Sequence, residues 1–502
     1  MSEIINSTAK TAYAIAFSRI INLLVYGLTF IYIARTLGPE QYGLYNIALS
    51  VAGLLAGIGS FGLSTYGERV LSREEDKKKL DGAFTVLLLI VLILTIVSLF
   101  ILPYLFHSSA HTNDNNYLII IAIIATSLAI ILNFLQTQFI GLRLSKDFLI
   151  ISILYTSLQS ILSIILLILG YGVNGVITAF FMALLISNIY AFYNLKKRVN
   201  IKFCIKSMRL YIKEMFQFSY PLTVSNILGS VTSNMGIVFL GIFYTSFIVG
   251  EYSIALQIGS IISLIISSIG ASLLPLFSKS IENNKNARNA FNYSIFFAFL
   301  VGLPFSLYGA ITSTYIVDSL FPNYQGANIL VALISIGILF TIYPYFIREL
   351  LVAYSKTKDI MLASIISAIL LIPTIPLFSY LFGAIGLIFL FYIINNIILS
   401  IFFKIRTNIT IEKIRILKLI MTNLLLSLFI LLLYFVNLEY TIKLIIGILE
   451  IVVVYPILLS LFHVLNEKDI DILTKATNKV PILENLFNMF LKYEEYIRNR
   501  LW

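Results

Sequence analysis

The chain has 502 residues, 59% of them hydrophobic and 12% charged, with a mean hydropathy of +0.95. Soluble domains are about half apolar and about one quarter charged, so this balance excludes a soluble multidomain enzyme and puts the chain in a membrane. The formal charge of +11 then reads as membrane topology rather than as a nucleic-acid surface, and no nucleic-acid partner is expected.

A helix needs about 20 mostly apolar residues to cross a hydrocarbon core of about 30 Å. Applied along the chain, that length predicts spans at 11–34, 41–67, 83–106, 117–141, 148–169, 175–195, 215–244, 248–274, 290–312, 327–347, 360–380, 384–403, 419–436 and 440–465, about fourteen in all. The polar first ten residues and the long first span do not resemble a cleavable signal peptide, so Met1 is expected to be the mature cytoplasmic end. Spans one to six contain only Pro103, whereas Pro221, Pro275, Pro304, Pro344, Pro373 and Pro376 fall in or at the ends of spans seven to eleven, where each favours a kink. After the last span, the apolar steps Leu483, Leu486, Phe490, Tyr493, Ile497 and Leu501 predict an interfacial helix over 482–501.

All Lys and Arg residues except Arg19, Arg35 and Lys443 fall on the side that carries both termini. The positive-inside rule makes that side cytoplasmic and predicts a multi-pass protein of the cytoplasmic membrane. The opposite side is nearly bare, its longest loop being 313–326. A single cysteine, Cys204, excludes an internal disulfide and a Cys-based metal site, and the three His have no metal-binding spacing, so neither metal nor cofactor is expected.

Gly43-Leu44-Tyr45-Asn46-Ile47-Ala48-Leu49 opens the second span and Gly250-Glu251-Tyr252-Ser253-Ile254-Ala255-Leu256 the eighth, identical at five of seven positions with an offset of 207. Six spans separate the copies, so they share one orientation and the repeat is parallel. The predicted fold is an all-α polytopic membrane protein with two parallel-repeat six-helix lobes plus two extra C-terminal helices. Its parts are an N-lobe at 1–195, a basic cytoplasmic linker at 196–214, a C-lobe at 215–403, two further helices within 404–465 and a cytoplasmic tail at 466–502.

The segment Ala34-Arg35-Thr36-Leu37-Gly38-Pro39-Glu40-Gln41-Tyr42-Gly43-Leu44-Tyr45 resembles the first helix–loop–helix signature of the polysaccharide-biosynthesis flippases, the O-antigen-type lipid-linked oligosaccharide exporters of the multidrug/oligosaccharidyl-lipid/polysaccharide superfamily. The resemblance implies roles for Arg35, Gly38, Pro39, Glu40, Tyr42, Gly43 and Tyr45 as family-motif residues. It also implies a function: moving a polyprenyl-phosphate- or polyprenyl-diphosphate-linked glycan to the outer leaflet through a cavity between the lobes. Residues 20 to 34 carry no charge, unlike the first helix of the similar lipid II flippases, which speaks against a lipid II substrate. Anionic lipids at the basic loops and glycan-assembly enzymes are the expected partners.

Arg19 lies about eight residues, roughly 12 Å, into the first span. A charge at that depth is costly and faces a bundle interior or a water-filled cavity, or else snorkels to the headgroups. A guanidinium also forks onto phosphate, as holding a diphosphate would require. Asn22 and Tyr26 continue the stripe, and the repeat offset carries Arg19 to Asn226, followed by Ser230, Ser233 and Asn234. These seven residues are the candidate cavity. Glu251 reads as a solvated residue at the outer mouth of the eighth span, or as an ion-coupling group; Glu450, deep in the last span, is a second ion-coupling candidate. Gly53 and Gly57 form a close-packing GxxxG pair.

Two other functions compete. A cation-coupled multidrug exporter of the same superfamily carries carboxylates within twelve helices, whereas here none lies deep in spans one to seven or nine to twelve. A membrane oligosaccharide polymerase or ligase needs an acid–base or metal constellation, usually in a long outer loop, and no outer loop is long enough.

Overall fold

The computed structural model describes residues 2–60, 63–72, 77–107, 116–142, 144–199, 202–279, 284–354, 356–407, 413–466 and 469. Long apolar segments satisfy every backbone group internally only as helices or closed barrels when lipid is the solvent. The described residues form helices joined by short turns, without a strand. They are α1 (Ser2–Ser60), α2 (Leu63–Ser72), α3 (Lys77–His107), α4 (Asn116–Gly141), α5 (Ser145–Ile168), α6 (Gly172–Val199), α7 (Ile205–Phe243), α8 (Ser246–Lys279), α9 (Asn284–Ile311), α10 (Ser313–Leu320), α11 (Ala327–Ala353), α12 (Thr357–Ile388), α13 (Asn395–Thr407), α14 (Lys413–Leu432) and α15 (Tyr440–Leu461). The fold is therefore the all-α polytopic one that the sequence predicts.

Eleven described stretches are long and apolar enough to cross a membrane. One of them, Thr357–Thr407, is broken at Gly383, whose φ of 56° and ψ of −142° no side-chain-bearing residue adopts cheaply. Helix α1 is broken in the same way at Gly38. The fourteen predicted spans require two crossings from each broken helix. The interfacial helix predicted over 482–501 lies outside the described residues.

The chain divides into two compact units, residues 1–253 with 356–390, and residues 254–355 with 391–502. In the first unit α1 packs on α4, α5 and α7, α6 on α4 and α5, and α7 on α3 and α12. Its core gathers Tyr66, Leu80, Phe84, Leu87, Phe134, Leu135, Phe139 and Ile151. Polar side chains tie the spans together within this core: Asn188 donates to the carbonyl of Leu128 at 2.9 Å, and the Thr95 and Ser127 hydroxyls meet at 2.6 Å.

The basic linker is fastened to the start of α3 in the same unit. Lys202 donates its backbone N–H to Asp81 Oδ1 at 2.9 Å, Cys204 its N–H to Thr85 Oγ1 at 2.8 Å, and Lys79 pairs with Glu214 at 2.8 Å. Asp81 and Thr85 are buried, so the two latching bonds are shielded from water. Cys204 sits at the N-cap of α7, where the Ser207 hydroxyl donates to its Sγ at 3.2 Å and lowers the thiol below its ordinary pKa. The neighbouring cations Lys202, Lys206, Arg209 and Lys213 are exposed.

In the second unit α9 packs on α11 and α14, and α15 on α10 and α14. Tyr308 donates to the carbonyl of Leu444 at 2.8 Å and Tyr455 to that of Leu300 at 2.7 Å, fixing α15 to α9. Arg415 pairs with the buried Asp469 and lies 4.2 Å from the Phe296 ring centroid. Lys443 is buried, with its ammonium 4.7 Å from the Tyr315 ring centroid.

Candidate functional site

The motif around Gly38 is a sharp break between the two helical halves of α1. Gly38 has φ 71° and ψ 173°, a region open only to glycine, and Pro39 supplies the fixed φ suited to the first turn of the next helical segment. Tyr42 and Tyr45 are buried, and Tyr42 lies 6.1 Å from the Phe30 ring and 6.2 Å from the Tyr45 ring, joining the two halves across the break. Arg35 and Glu40 are exposed beside it.

Gly43 and Gly250 show why the repeat keeps glycine at this position. A Cβ on Gly43 would overlap the carbonyl oxygen of Ser246 and lie 3.0 Å from the Gly250 nitrogen. A Cβ on Gly250 would overlap the carbonyl oxygen of Pro39 and lie 3.0 Å from its Cα. The offset of 207 that relates Gly43 to Gly250 also relates Pro39 to Ser246. The two repeat copies therefore meet backbone to backbone through equivalent residues, as a two-fold arrangement of parallel repeats requires.

The seven cavity candidates divide into two groups. Arg19 lies on α1, with its side chain outside the described residues. One turn on, Asn22 donates its amide to Ser152 Oγ on α5 at 2.8 Å, and Tyr26 is 36% exposed. On α7, Ser230 donates to the carbonyl of Gly53 at 2.8 Å, Asn234 donates to the carbonyl of Ser230 at 2.8 Å, and Asn226 and Ser233 are exposed. A Cβ on Gly53 would come within 2.5 Å of Asn234 Oδ1, so this glycine brings α7 against the second half of α1. Of these candidates, Asn22 is tied to α5, and Ser230 and Asn234 pack on Gly53.

Sequence reasoning missed α5. Its buried polar residues Thr156, Gln159, Ser160 and Ser163 follow Ser152 on one helical stripe, and the Ser160 and Ser163 hydroxyls have no partner among the described residues. The signal was legible as polar residues three and four apart in an otherwise apolar span. Glu251 is buried at 8% exposure, which corrects the expectation of a solvated end residue: it lies in the second turn of α8, next to Gly250, instead of facing bulk water. Glu450 is half-buried, and its Oε2 finds no partner among the described residues. No group of three His, Cys, Asp or Glu among the described residues could hold a metal ion.

The family described as polysaccharide biosynthesis protein matches residues 8–281, more than half of the chain, and includes the Gly38 break and the Gly43–Gly250 contact. The chain belongs to that family. The MatE family matches residues 221–377. A Shigella flexneri protein named for O-antigen transport is 28% identical over 381 residues, 71% of this chain and 87% of its own length. The succinoglycan biosynthesis transport protein ExoT of Rhizobium meliloti is 23% identical over 271 residues, 53% of each chain. Among solved structures, the lipid II flippase MurJ in an inward closed conformation superposes with a TM-score of 0.73 at 19% identity, covering 90% of this chain and 98% of that one. An inward-facing MATE multidrug transporter does so with a TM-score of 0.58 at 18% identity, covering 77% and 97%. These relatives are named as transporters rather than catalysts, and the two solved structures share the polytopic fold.

Proposed function

We propose that this polysaccharide-biosynthesis family member flips a polyprenyl-phosphate- or polyprenyl-diphosphate-linked oligosaccharide from the cytoplasmic to the outer leaflet of the cytoplasmic membrane by alternating access. The family match over residues 8–281, on a fold that covers most of a lipid II flippase, is the observation that carries this reading. In this reading the chain crosses fourteen times with both termini inside, and the lobes 1–195 and 215–403 rock about the linker 196–214, with 404–465 and the tail 466–502 outside the symmetry. Arg19 grips the phosphate groups; Asn22, Tyr26, Asn226, Ser230, Ser233 and Asn234 line the wet path for the glycan.

The uncharged stretch from 20 to 34 favours a glycan lipid other than lipid II. Anionic inner-leaflet lipids neutralise the exposed linker cations, each interaction worth about 1 kcal/mol near the surface. Enzymes that assemble the glycan deliver the substrate on the same face. Glu251 and Glu450 are the candidates for coupling to an ion gradient. The MatE match over 221–377 supports a second reading, a cation-coupled multidrug exporter.

Mass spectrometry of lipids that co-purify with the full chain in mild detergent separates the two readings. A polyprenyl-linked glycan retained by the wild-type chain and lost in Arg19→Ala supports flipping. Retention of small cationic compounds without any polyprenyl lipid supports the exporter.

A further inference from the structure

We propose that the reciprocal contact of Gly43 with Ser246 and of Gly250 with Pro39 is the seal that closes the outer face during transport, and that glycine is required at both positions so that the two repeats can shut backbone to backbone. This rests on the alternating-access reading and on the cytoplasmic assignment of the termini. Under that orientation the start of the second span and the start of α8 both lie at the outer surface.

Three observations support the seal. First, the contact is symmetric in the repeat: the same pair of positions is used twice, each glycine facing the backbone of the other copy's loop-proximal residue. A contact on the pseudo-two-fold axis is where two rocking copies separate or meet. Second, it is made by backbone atoms on both sides, so no side-chain rotamer can relieve an added methyl. Gly27 and Gly229, by contrast, have no atom within 4 Å of an added Cβ. Third, the residues proposed to line the path lie below it. Gly53 and Asn234 meet about ten residues inward from Gly43 and from the end of α7, roughly 15 Å at the helical rise. A group at that depth gains access from outside when the copies part.

Overpacking a close contact disfavours the state that contains it and leaves the parted state untouched. Gly43→Ala and Gly250→Ala should therefore shift the balance from outer-closed to outer-open by roughly tenfold or more.

The test uses the full chain in proteoliposomes, with Ser233→Cys as reporter in a Cys204→Ser background and a membrane-impermeant maleimide added outside. Gly43→Ala and Gly250→Ala should each raise the labelling rate about tenfold, and Gly229→Ala should leave it unchanged. Unchanged rates in both variants, or an equal rise in Gly229→Ala, would overturn the seal. Should the alanine variants not fold, the pair Glu40→Cys with Phe247→Cys replaces them. Bridging it with a short reducible cross-linker should stop export, and reduction should restore it; export that continues when the pair is fully bridged overturns the seal. If the wild-type chain moves no lipid-linked glycan at all, the flippase reading fails, while the labelling rates still decide the seal.

Discussion

Replacing Asp81 by Ala should release the segment around Lys202 and Cys204 from the start of α3. Asp81 is buried at 9% exposure and accepts the Lys202 N–H at 2.9 Å, a bond from a neutral amide to a carboxylate. Hydrogen bonds to charged groups contribute about 1.5–3 kcal/mol, so the loss is about 2 kcal/mol, or roughly a thirtyfold rise in the fraction of linker that is locally open. Thr85→Val removes the acceptor of the Cys204 N–H at 2.8 Å, and a neutral bond of about 1 kcal/mol corresponds to roughly fivefold. Glu214→Gln breaks an ion pair whose side chains are 20% and 42% exposed, and surface pairs are worth about 0–1 kcal/mol, so little change is expected. The assay is limited trypsin digestion of the full chain in nanodiscs, following cuts after Lys202, Lys206 and Arg209. When reclosing is fast, the cleavage rate tracks the open fraction. A rate for Asp81→Ala within twofold of wild type at these sites would refute the latch.

Further outcomes follow from topology, local backbone and charge burial. Single cysteines at Tyr171 and Asn323 in the Cys204→Ser background should label from outside intact cells, and those at Lys206 and Lys358 should not; external labelling of Lys206→Cys would sink the proposed orientation. Gly38→Ala forces a side chain into φ 71°, and strain of about 1–3 kcal/mol should lower the thermal midpoint clearly more than Gly27→Ala, whose added methyl meets nothing within 4 Å. Burial holds the Glu68 carboxyl above its usual pKa, so its charge disfavours the folded state above that raised value and the penalty vanishes below the ordinary carboxylate range. Glu68→Gln should thus raise the melting temperature at pH 7, with the gain fading as the pH falls; an equal gain at low pH would contradict the burial argument.

Hydropathy and charge made most of the helical framework legible before any coordinates, because membrane thickness and the positive-inside rule act on composition alone. The break at Gly38-Pro39 was equally legible, since the predicted spans stop at 34 and resume at 41. The partner of each helix face was harder to read. Spans apolar on all sides carry little record of which face meets protein and which meets lipid. The repeat marked Gly43 and Gly250 as equivalent, but that they touch each other's loops depends on tertiary approach. Likewise Asn22 stood out as polar in an apolar span, whereas its partner Ser152 lies 130 residues away, and small hydroxyls such as Ser160 and Ser163 pass as ordinary span residues. Glu251 read as solvated because it stands near the mouth of its predicted span, yet it is buried in the second turn of α8.

The central claim is that this chain moves a lipid-linked glycan and grips its phosphate through Arg19. The most direct test reconstitutes the full chain in proteoliposomes with a fluorescent polyprenyl-diphosphate oligosaccharide and measures its appearance in the opposite leaflet. Wild type should translocate it, Arg19→Lys should do so partially because the charge remains while the bidentate fork is lost, and Arg19→Ala should fold and insert but not transport. Absence of translocation by the wild type, or wild-type rates from a normally folded Arg19→Ala chain, would contradict the account.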